Sequence, residues 1–363
     1  MNREEDLTKR ATITLLAGDI GATNSRISLY ESSAQGELKL LSHNTYPSQE
    51  RASLLEILKD FTRSLSTPPD FGCFGIPGPV KGETSVTTNL PWQVHAGDMA
   101  RGIGIKKVWL LNDLEAIAHG LLKLDDRDLQ LINPSPLPGE GGNAAVIAPG
   151  SGLGEAGIYW DGETYHPFGS EGGHCNFAPA DADQIEILQY LLKKYQRVSW
   201  ERLLSGPGIV HIYSFLRDTG KEEEPAWLHE KLQKMDPAKV ITDEALHGNA
   251  SICKRTIEIF LDLLACEAAN LALKIMSTGG VYIAGGIVPR LVPLLDRERF
   301  HQHFVRQGRL SKVLETMPVR LVLNGDVGII GAAHYALTSR ADHAESPVGL
   351  TQERYHDGIA PNP

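Results

Sequence analysis

The sequence predicts an α/β protein built around two β-sheets, one in each half of the chain. Two observations carry that expectation. A three-strand meander followed by helix–strand units occurs twice along the chain. Each meander opens on a glycine hairpin, an apolar strand turning tightly into a second apolar strand. The first runs from Leu15 to Leu29 with Gly18-Asp19-Ile20-Gly21-Ala22-Thr23 around its turn. The second runs from Val146 to Tyr159 with Gly150-Ser151-Gly152-Leu153-Gly154 around its turn.

The elements follow in order. Strands are expected over about 12–19, 25–31, 37–46 and 72–76, and a helix from Ser48 to Leu65 with Leu54, Leu55, Ile57, Leu58 and Phe61 on one stripe. Pro68-Pro69 breaks the chain after that helix. Lys107 to Leu111 reads as a buried strand, and Leu114 to Lys123 continues as a helix. Pro134 to Gly142 is a Pro/Gly-rich connection near which the chain crosses between domains. The second unit has strands within 143–166 and helices over about 181–197, 207–219 and 243–277. It ends with a strand at Val281 to Ala284, a helix, a strand over 319–323 and a last helix from Gly328 to Leu337. From about residue 340 the composition is that of a mobile tail.

The bulk numbers narrow the function classes. A chain of 363 residues, 42% hydrophobic and 22% charged, supports two full cores. A net charge of -10 argues against a nucleic-acid backbone as partner. Cys73, Cys175, Cys253 and Cys266 form no C-x-x-C pair and read as small, buried, reduced side chains of a cytoplasmic protein. The polar start and the short apolar run interrupted by Asp19 argue against a signal peptide or a membrane span.

Glycine at a hairpin turn lets consecutive backbone N–H groups converge on one anion, so the two paired hairpins point to phosphate binding. The commoner nucleotide motifs are excluded. No run has the glycine–lysine spacing of a phosphate-binding P-loop. A dinucleotide fingerprint needs a helix after its glycines, whereas Gly154 leads into a strand, an Asp161-Gly162 turn and another strand.

Several polar groups stand where ligands gather in α/β sheets. Asn112-Asp113 lies between a buried strand and a helix; either residue serves as an N-cap, and Asp113 also suits a general base that removes a hydroxyl proton. Glu171 and His174 sit three apart in the loop Gly169-Ser170-Glu171-Gly172-Gly173-His174. Carboxylates, amides and neutral imidazole match the vicinal hydroxyls of a sugar, and a plain turn is the structural alternative. Asn89 lies in the loop Thr88-Asn89-Leu90-Pro91-Trp92, which reads equally as a turn. Ser205 caps a helix near Pro207 and leaves Glu201 without a structural reason. Gly285-Gly286 follows a buried strand and would let backbone lie flat against a ring such as adenine, or simply form a tight turn.

These segments, in this order, resemble the bacterial-type glucokinase family, within the wider group of sugar kinases, actin and heat-shock chaperone ATPases. The resemblance runs from about residue 14 to about 338. It rests on Gly18 to Asn24, Ile76-Pro77-Gly78-Pro79-Val80, Thr88 to Trp92, Asn112-Asp113, Pro149 to Gly154, Glu171 to His174, Leu204 to Gly208 and Ala284 to Ile287. It implies two actin-like ATPase (ribonuclease H-like) domains with mixed sheets flanked by helices and a cleft between them. The smaller domain would be 12–125 with about 324–340, the larger 126–323, and 1–11 and 341–363 would be tails. The implied activity is transfer of phosphate from ATP, with Mg, to glucose, giving glucose 6-phosphate. Asp113 would be the catalytic base, and Asn89, Asn112, Asp113, Glu171, His174 and Glu201 would bind the sugar. Gly18, Asp19, Ile20, Gly21, Ala22, Thr23, Gly150, Ser151, Gly152, Gly285 and Gly286 would bind the nucleotide, with Asp19 facing Mg through water. Ala22 departs from the family's usual second glycine, which is tolerable at negative φ. The alternatives are a kinase of another hexose, a polyphosphate-dependent glucokinase, a sugar-sensing regulator, or an ATPase with a protein client. A homodimer is a further expectation of the resemblance.

Overall fold

The computed structural model describes residues 12–33, 35–87, 90–133 and 141–344. The first part of the chain forms β1 (Ile13–Ile20), β2 (Asn24–Ser32), β3 (Leu38–Pro47), α1 (Leu54–Thr62) and β4 (Phe71–Ile76). A small antiparallel sheet of β5 (Val80–Lys81), β6 (Thr84–Val86) and β7 (Gln93–His95) follows. Then come α2 (Ala96–Ile103), β8 (Lys107–Asn112) and α3 (Asp113–Leu121). The first large sheet has the order β3-β2-β1-β4-β8. Its meander is antiparallel, and β4 and β8 add parallel to β1.

The second half repeats that plan. A short edge strand, β9 (Leu129–Leu131), precedes β10 (Ala144–Pro149), β11 (Leu153–Trp160) and β12 (Tyr165–Ser170). Helices α4 (Ala182–Leu192), α5 (Gly206–Asp218), α6 (Ala226–Lys234), α7 (Pro237–His247) and α8 (Ser251–Ile275) lead to β13 (Gly280–Ile283). After α9 (Val288–Leu291), α10 (Arg297–Val305) and α11 (Ser311–Leu314), β14 (Val319–Val322) completes the sheet in the order β12-β11-β10-β13-β14-β9, and α12 (Val327–Ala344) is the last element among the described residues. Both sheets therefore consist of a meander and two added parallel strands, the second with the antiparallel edge strand β9 besides, so both collect loop residues at the carboxyl ends of their parallel strands.

The central strands are apolar along their length because they are covered on both faces. All six residues of β4 and of β10 are buried. One face of the first sheet packs Leu16, Ile27 and Phe74 on Leu54, Ile57 and Leu58 of α1 and Met99 and Ile103 of α2. Its other face packs Leu15, Ala17 and Cys73 on Ile329, Ala332, Ala333 and Ala336 of α12. The second sheet packs Ala145, Ile147, Val281 and Ile283 on the helical layer around α8. A separate cluster joins the two halves: Leu114, Ala118 and Leu121 of α3 meet Val146, Ala156 and Ile158 of the second sheet and Val327 of α12.

Several expectations need correction. The helix expected over Ser48 to Leu65 is a 3-10 turn at Ser48–Glu50 and then α1, which Ser53 caps by accepting the Glu56 N–H at 3.2 Å. The single helix expected over 243–277 is two, because Gly248 takes the left-handed conformation (φ 71°) and ends α7. The last helix runs on to Ala344, past the start expected for the tail. Cys175 is exposed rather than buried, as it caps the turn Gly172–His174 on the surface. Asn89, with Thr88, lies outside the described residues.

Candidate active site

The carboxyl ends of β1, β4 and β8 lie side by side. Asp19 pairs in register with Gly75, and Ile76 with Asn112. The chain turns from β8 straight into α3, so Asp113 is the helix's first residue. The Leu114 N–H donates to Asn112 Oδ1 and to Asp113 Oδ1, both at 3.0 Å. Asn112 is thus the N-cap, and its amide also donates to the Gly78 carbonyl at 3.2 Å. At Gly75 the backbone passes close to α3: a Cβ there would stand 3.1 Å from Ala116 Cβ and 3.5 Å from Asp113 Cα. Burial raises the Asp113 pKa to about 7, and the charges of Asp19 and Glu171 add to the rise. The Leu114 N–H opposes it. A carboxyl poised there can take a proton at neutral pH.

Asp19 is not alone. Arg26 of β2, its register partner, bonds it at 2.5 Å and reaches Asp326, just before α12, at 2.9 Å. The first hairpin is braced from outside. Ser48 donates its hydroxyl to the Gly21 carbonyl at 2.7 Å and its N–H to the Thr23 carbonyl at 2.8 Å. Ala22 does not have positive φ, so its side chain is accommodated without strain. Gly18 and Gly21 do not have positive φ either. A Cβ at Gly18 would stand 2.7 Å from the Phe74 ring, and one at Gly21 would stand 2.8 Å from the Asn24 carbonyl. These glycines supply space rather than left-handed backbone.

Glu171 and His174 bracket the 3-10 turn Gly172–His174 at the end of β12. His174 Nε2 is 3.8 Å from Glu171 and His174 Nδ1 is 3.9 Å from Glu201. Arg197 fixes the turn by donating to the His174 carbonyl at 2.7 Å. The same loop approaches the first sheet: a Cβ on Gly169 would be 3.7 Å from Asn112 Oδ1. Glu201 does have a structural partner, contrary to expectation, since its Oε2 accepts the Leu153 N–H at 3.1 Å. It lies so close over Gly152 that a Cβ there would meet it at 2.6 Å. One Glu201 oxygen therefore anchors the second hairpin and the other faces His174.

The second hairpin is closed by Gly150 N–H donating to the Gly152 carbonyl at 2.8 Å, and the Gly150 carbonyl accepts from Gly206 at 2.9 Å. Ser151 sits exposed at its tip. Gly285 (φ 85°) turns the chain after β13 against the Pro149 carbonyl, 2.5 Å from where its Cβ would be. Gly286 faces open space, with no atom within 4 Å of a Cβ there. Glu201, the second hairpin and Gly285-Gly286 thus form one group at the carboxyl ends of β10 and β13. Asp19, Asn112 and Asp113 form another, and the Glu171–His174 loop lies between them. No hydrogen bond or ion pair joins the first hairpin to the second among the described residues.

No cluster of three or more His, Cys, Asp or Glu side chains suited to a metal exists among the described residues. Asp19 and Glu171 both act against the charged form of Asp113, a local excess of negative charge that a cation such as Mg²⁺ would relieve. Sequence reading missed Arg26, Arg197 and Asp326. Arg26 had a signal, a lone cation inside the apolar strand Ser25-Arg26-Ile27; the other two become neighbours only through the fold.

Duplicated sheets of this topology, with carboxylates and glycine hairpins at the ends of their parallel strands, define an actin-like ATPase fold of the sugar-kinase type. A sequence model of the glucokinase family matches residues 16–339. The chain belongs to the glucokinase family and is an enzyme, a kinase. It is 38% identical over 336 residues to a glucokinase of Nostoc punctiforme, covering 88% of this chain and 97% of that one. A glucokinase of Trichormus variabilis is 37% identical over 334 residues, with the same coverage. The crystal structure of a glucokinase from an Antarctic psychrotroph superposes with a TM-score of 0.76 at 29% identity, covering 90% of this chain and 99% of that one. Membership of an enzyme family removes the sugar-sensing regulator from the alternatives. No helix among the described residues is long and apolar enough to cross a membrane.

Proposed function

We propose that this kinase transfers the γ-phosphoryl group of ATP to the 6-hydroxyl of glucose, with Asp113 as the general base. The observation that carries the reading is the half-buried Asp113 carboxyl, with its pKa lifted to about 7, between Asp19 and the Glu171 loop. The phosphorus–oxygen bond to ADP breaks, the bond to the sugar oxygen forms, and the hydroxyl proton passes to Asp113. Gly18 to Thr23 and Gly150 to Gly152 offer backbone N–H groups to the phosphates, and Gly285-Gly286 offers a flat surface to adenine. Asp19 would hold Mg²⁺ through water, which would supply positive charge beside the phosphates. Asn112, Glu171, His174 and Glu201, with Asn89, would hold the sugar hydroxyls. The chain would work as two domains, 12–125 with about 324–340 and 126–323, with the substrates in the cleft between them. A coupled assay over a panel of hexoses and phosphoryl donors tests this: glucose with ATP should give the highest kcat/KM. A preference for another hexose or for polyphosphate would replace the named substrates.

His174 gives a narrower test. Its ring is half exposed, so removing it leaves little packing behind. His174→Ala should raise the glucose KM by roughly 5- to 150-fold, the equivalent of a lost buried hydrogen bond of about 1–3 kcal/mol, and leave the ATP KM nearly unchanged. Equal changes in both constants would make the loop merely structural.

A further inference from the structure

Directly beneath the Glu171–His174 loop lie two buried carboxyl groups that the chemistry above does not use. Glu155 is on β11, paired in register with Ser170, and is 1% exposed. Glu267 is on α8 and is 0% exposed. The Glu155 carboxyl occupies the space a side chain on Gly172 would need: a Cβ there would overlap Oε2 outright. The loop backbone is therefore seated on this carboxyl. Glu267 Oε2 accepts from Asn270 Nδ2 at 2.8 Å, and its Oε1 has Lys274 Nζ as an ionic neighbour at 3.5 Å. Glu155 Oε1 has no hydrogen-bond partner, and Glu267 Oε1 has only the long ionic contact with Lys274. Two ionised carboxylates in that position would repel without solvent to screen them, whereas one proton shared between the two groups removes that repulsion. Lys274 is the cation facing the pair from α8.

We propose that Glu155 is a positioning residue for sugar binding: its uncharged carboxyl, bridged to Glu267, is the strut that holds the Glu171–His174 loop in place. The idea rests on that loop being the sugar-binding loop. Burial and the neighbouring Glu267 raise the Glu155 pKa to about 8, with Lys274 opposing, so the strut is intact at neutral pH and is lost as pH rises through that value. If only the protonated form binds sugar, the apparent KM scales inversely with its population, which predicts a rise of about tenfold between about pH 7 and about pH 9.

The test compares wild type with Glu155→Gln, whose amide is uncharged at every pH and can donate to Glu267. Wild type should show the alkaline rise in glucose KM with the ATP KM unchanged, and Glu155→Gln should keep the neutral-pH KM and lose the rise. If Glu155→Gln does not fold, Glu267→Gln serves: with no like charge beside it, Glu155 should ionise more easily, and the rise should move to lower pH. Amide hydrogen exchange of residues 170–175 reads the strut without sugar, and should quicken with pH, beyond the intrinsic base catalysis of exchange, in wild type but not in Glu155→Gln. A flat wild-type KM profile, or an unchanged rise in Glu155→Gln, overturns the proposal. If the exchange result holds while His174→Ala leaves the glucose KM untouched, the strut stands and the sugar assignment of the loop fails.

Discussion

Asp113→Asn should lower kcat by ~10²–10⁴-fold and leave the fold intact. Asparagine has the same shape, and its oxygen can still accept the Leu114 N–H that Asp113 Oδ1 accepts at 3.0 Å. What it lacks is a basic oxygen. Because burial already disfavours the charged form of Asp113, removing the charge should leave the melting temperature unchanged or raise it. In wild type, kcat should fall on the acid side as Asp113 takes up its proton; bound Mg²⁺ beside Asp19 would move that limb below the value of about 7 set by burial and Asp19. Steady-state kinetics with circular dichroism as the control decides it. A variant with near-full kcat would reduce Asp113 to a helix-capping residue.

The fold was legible wherever one strong pattern governed a segment. The apolar runs of β1, β4 and β10 and the glycine turns after β1 and β10 fix both meanders. The α2 helix was missed although Ala96, Met99, Ala100 and Ile103 carry the helical spacing, because two glycines in eight residues read as loop. The small sheet β5–β7 has strands of two or three residues, too short for periodicity to register. Gly248 was a readable stop signal between α7 and α8, and it was overridden by the apolar pattern on both sides.

The site divides differently. The placement of residues next to a motif was readable: Asp113, Asn112, Glu171 and His174 do lie at strand ends and at the start of a helix or turn, where α/β chemistry collects. Residues that complete the site from across the fold were not. Asp326 lies 300 positions from Arg26, and Glu267 lies 112 residues beyond Glu155 in the sequence; nothing local foretells either contact. Both glycine hairpins were expected for their backbone freedom. At Gly18, Gly21 and Gly154 the structure shows a need for space rather than for positive φ, since a Cβ on each would crowd a neighbouring side chain or carbonyl.

The same distinction yields the second large effect, at the crossing of α3 and α12. There the two helix backbones touch: a Cβ on Gly331 would overlap the Ala116 carbonyl oxygen, and one on Gly120 would overlap the Val327 carbonyl oxygen. No rotamer change relieves an overlap with backbone, so the helices must separate. They carry Asp113 at one start and Asp326 beside the other, and Ala116, Ile329, Ala332 and Ala333 seal their packing against β1. Gly331→Ala gains about 1 kcal/mol of helix propensity and should still be destabilised by about 3 kcal/mol or more, because over-packing here has no room to relax. At roughly 2–4 °C per kcal/mol for a domain of this size, the apparent melting temperature should drop by roughly 6–12 °C. Gly328→Ala, one turn earlier, is the control. Its Cβ would meet Ile117 at 3.5 Å and Asp19 at 3.7 Å, ordinary contact, so the propensity gain should survive and the melting temperature should hold or rise. Parallel thermal melts of the two variants settle the matter, and a Gly331→Ala protein as stable as Gly328→Ala would mean that the helices do not cross this closely.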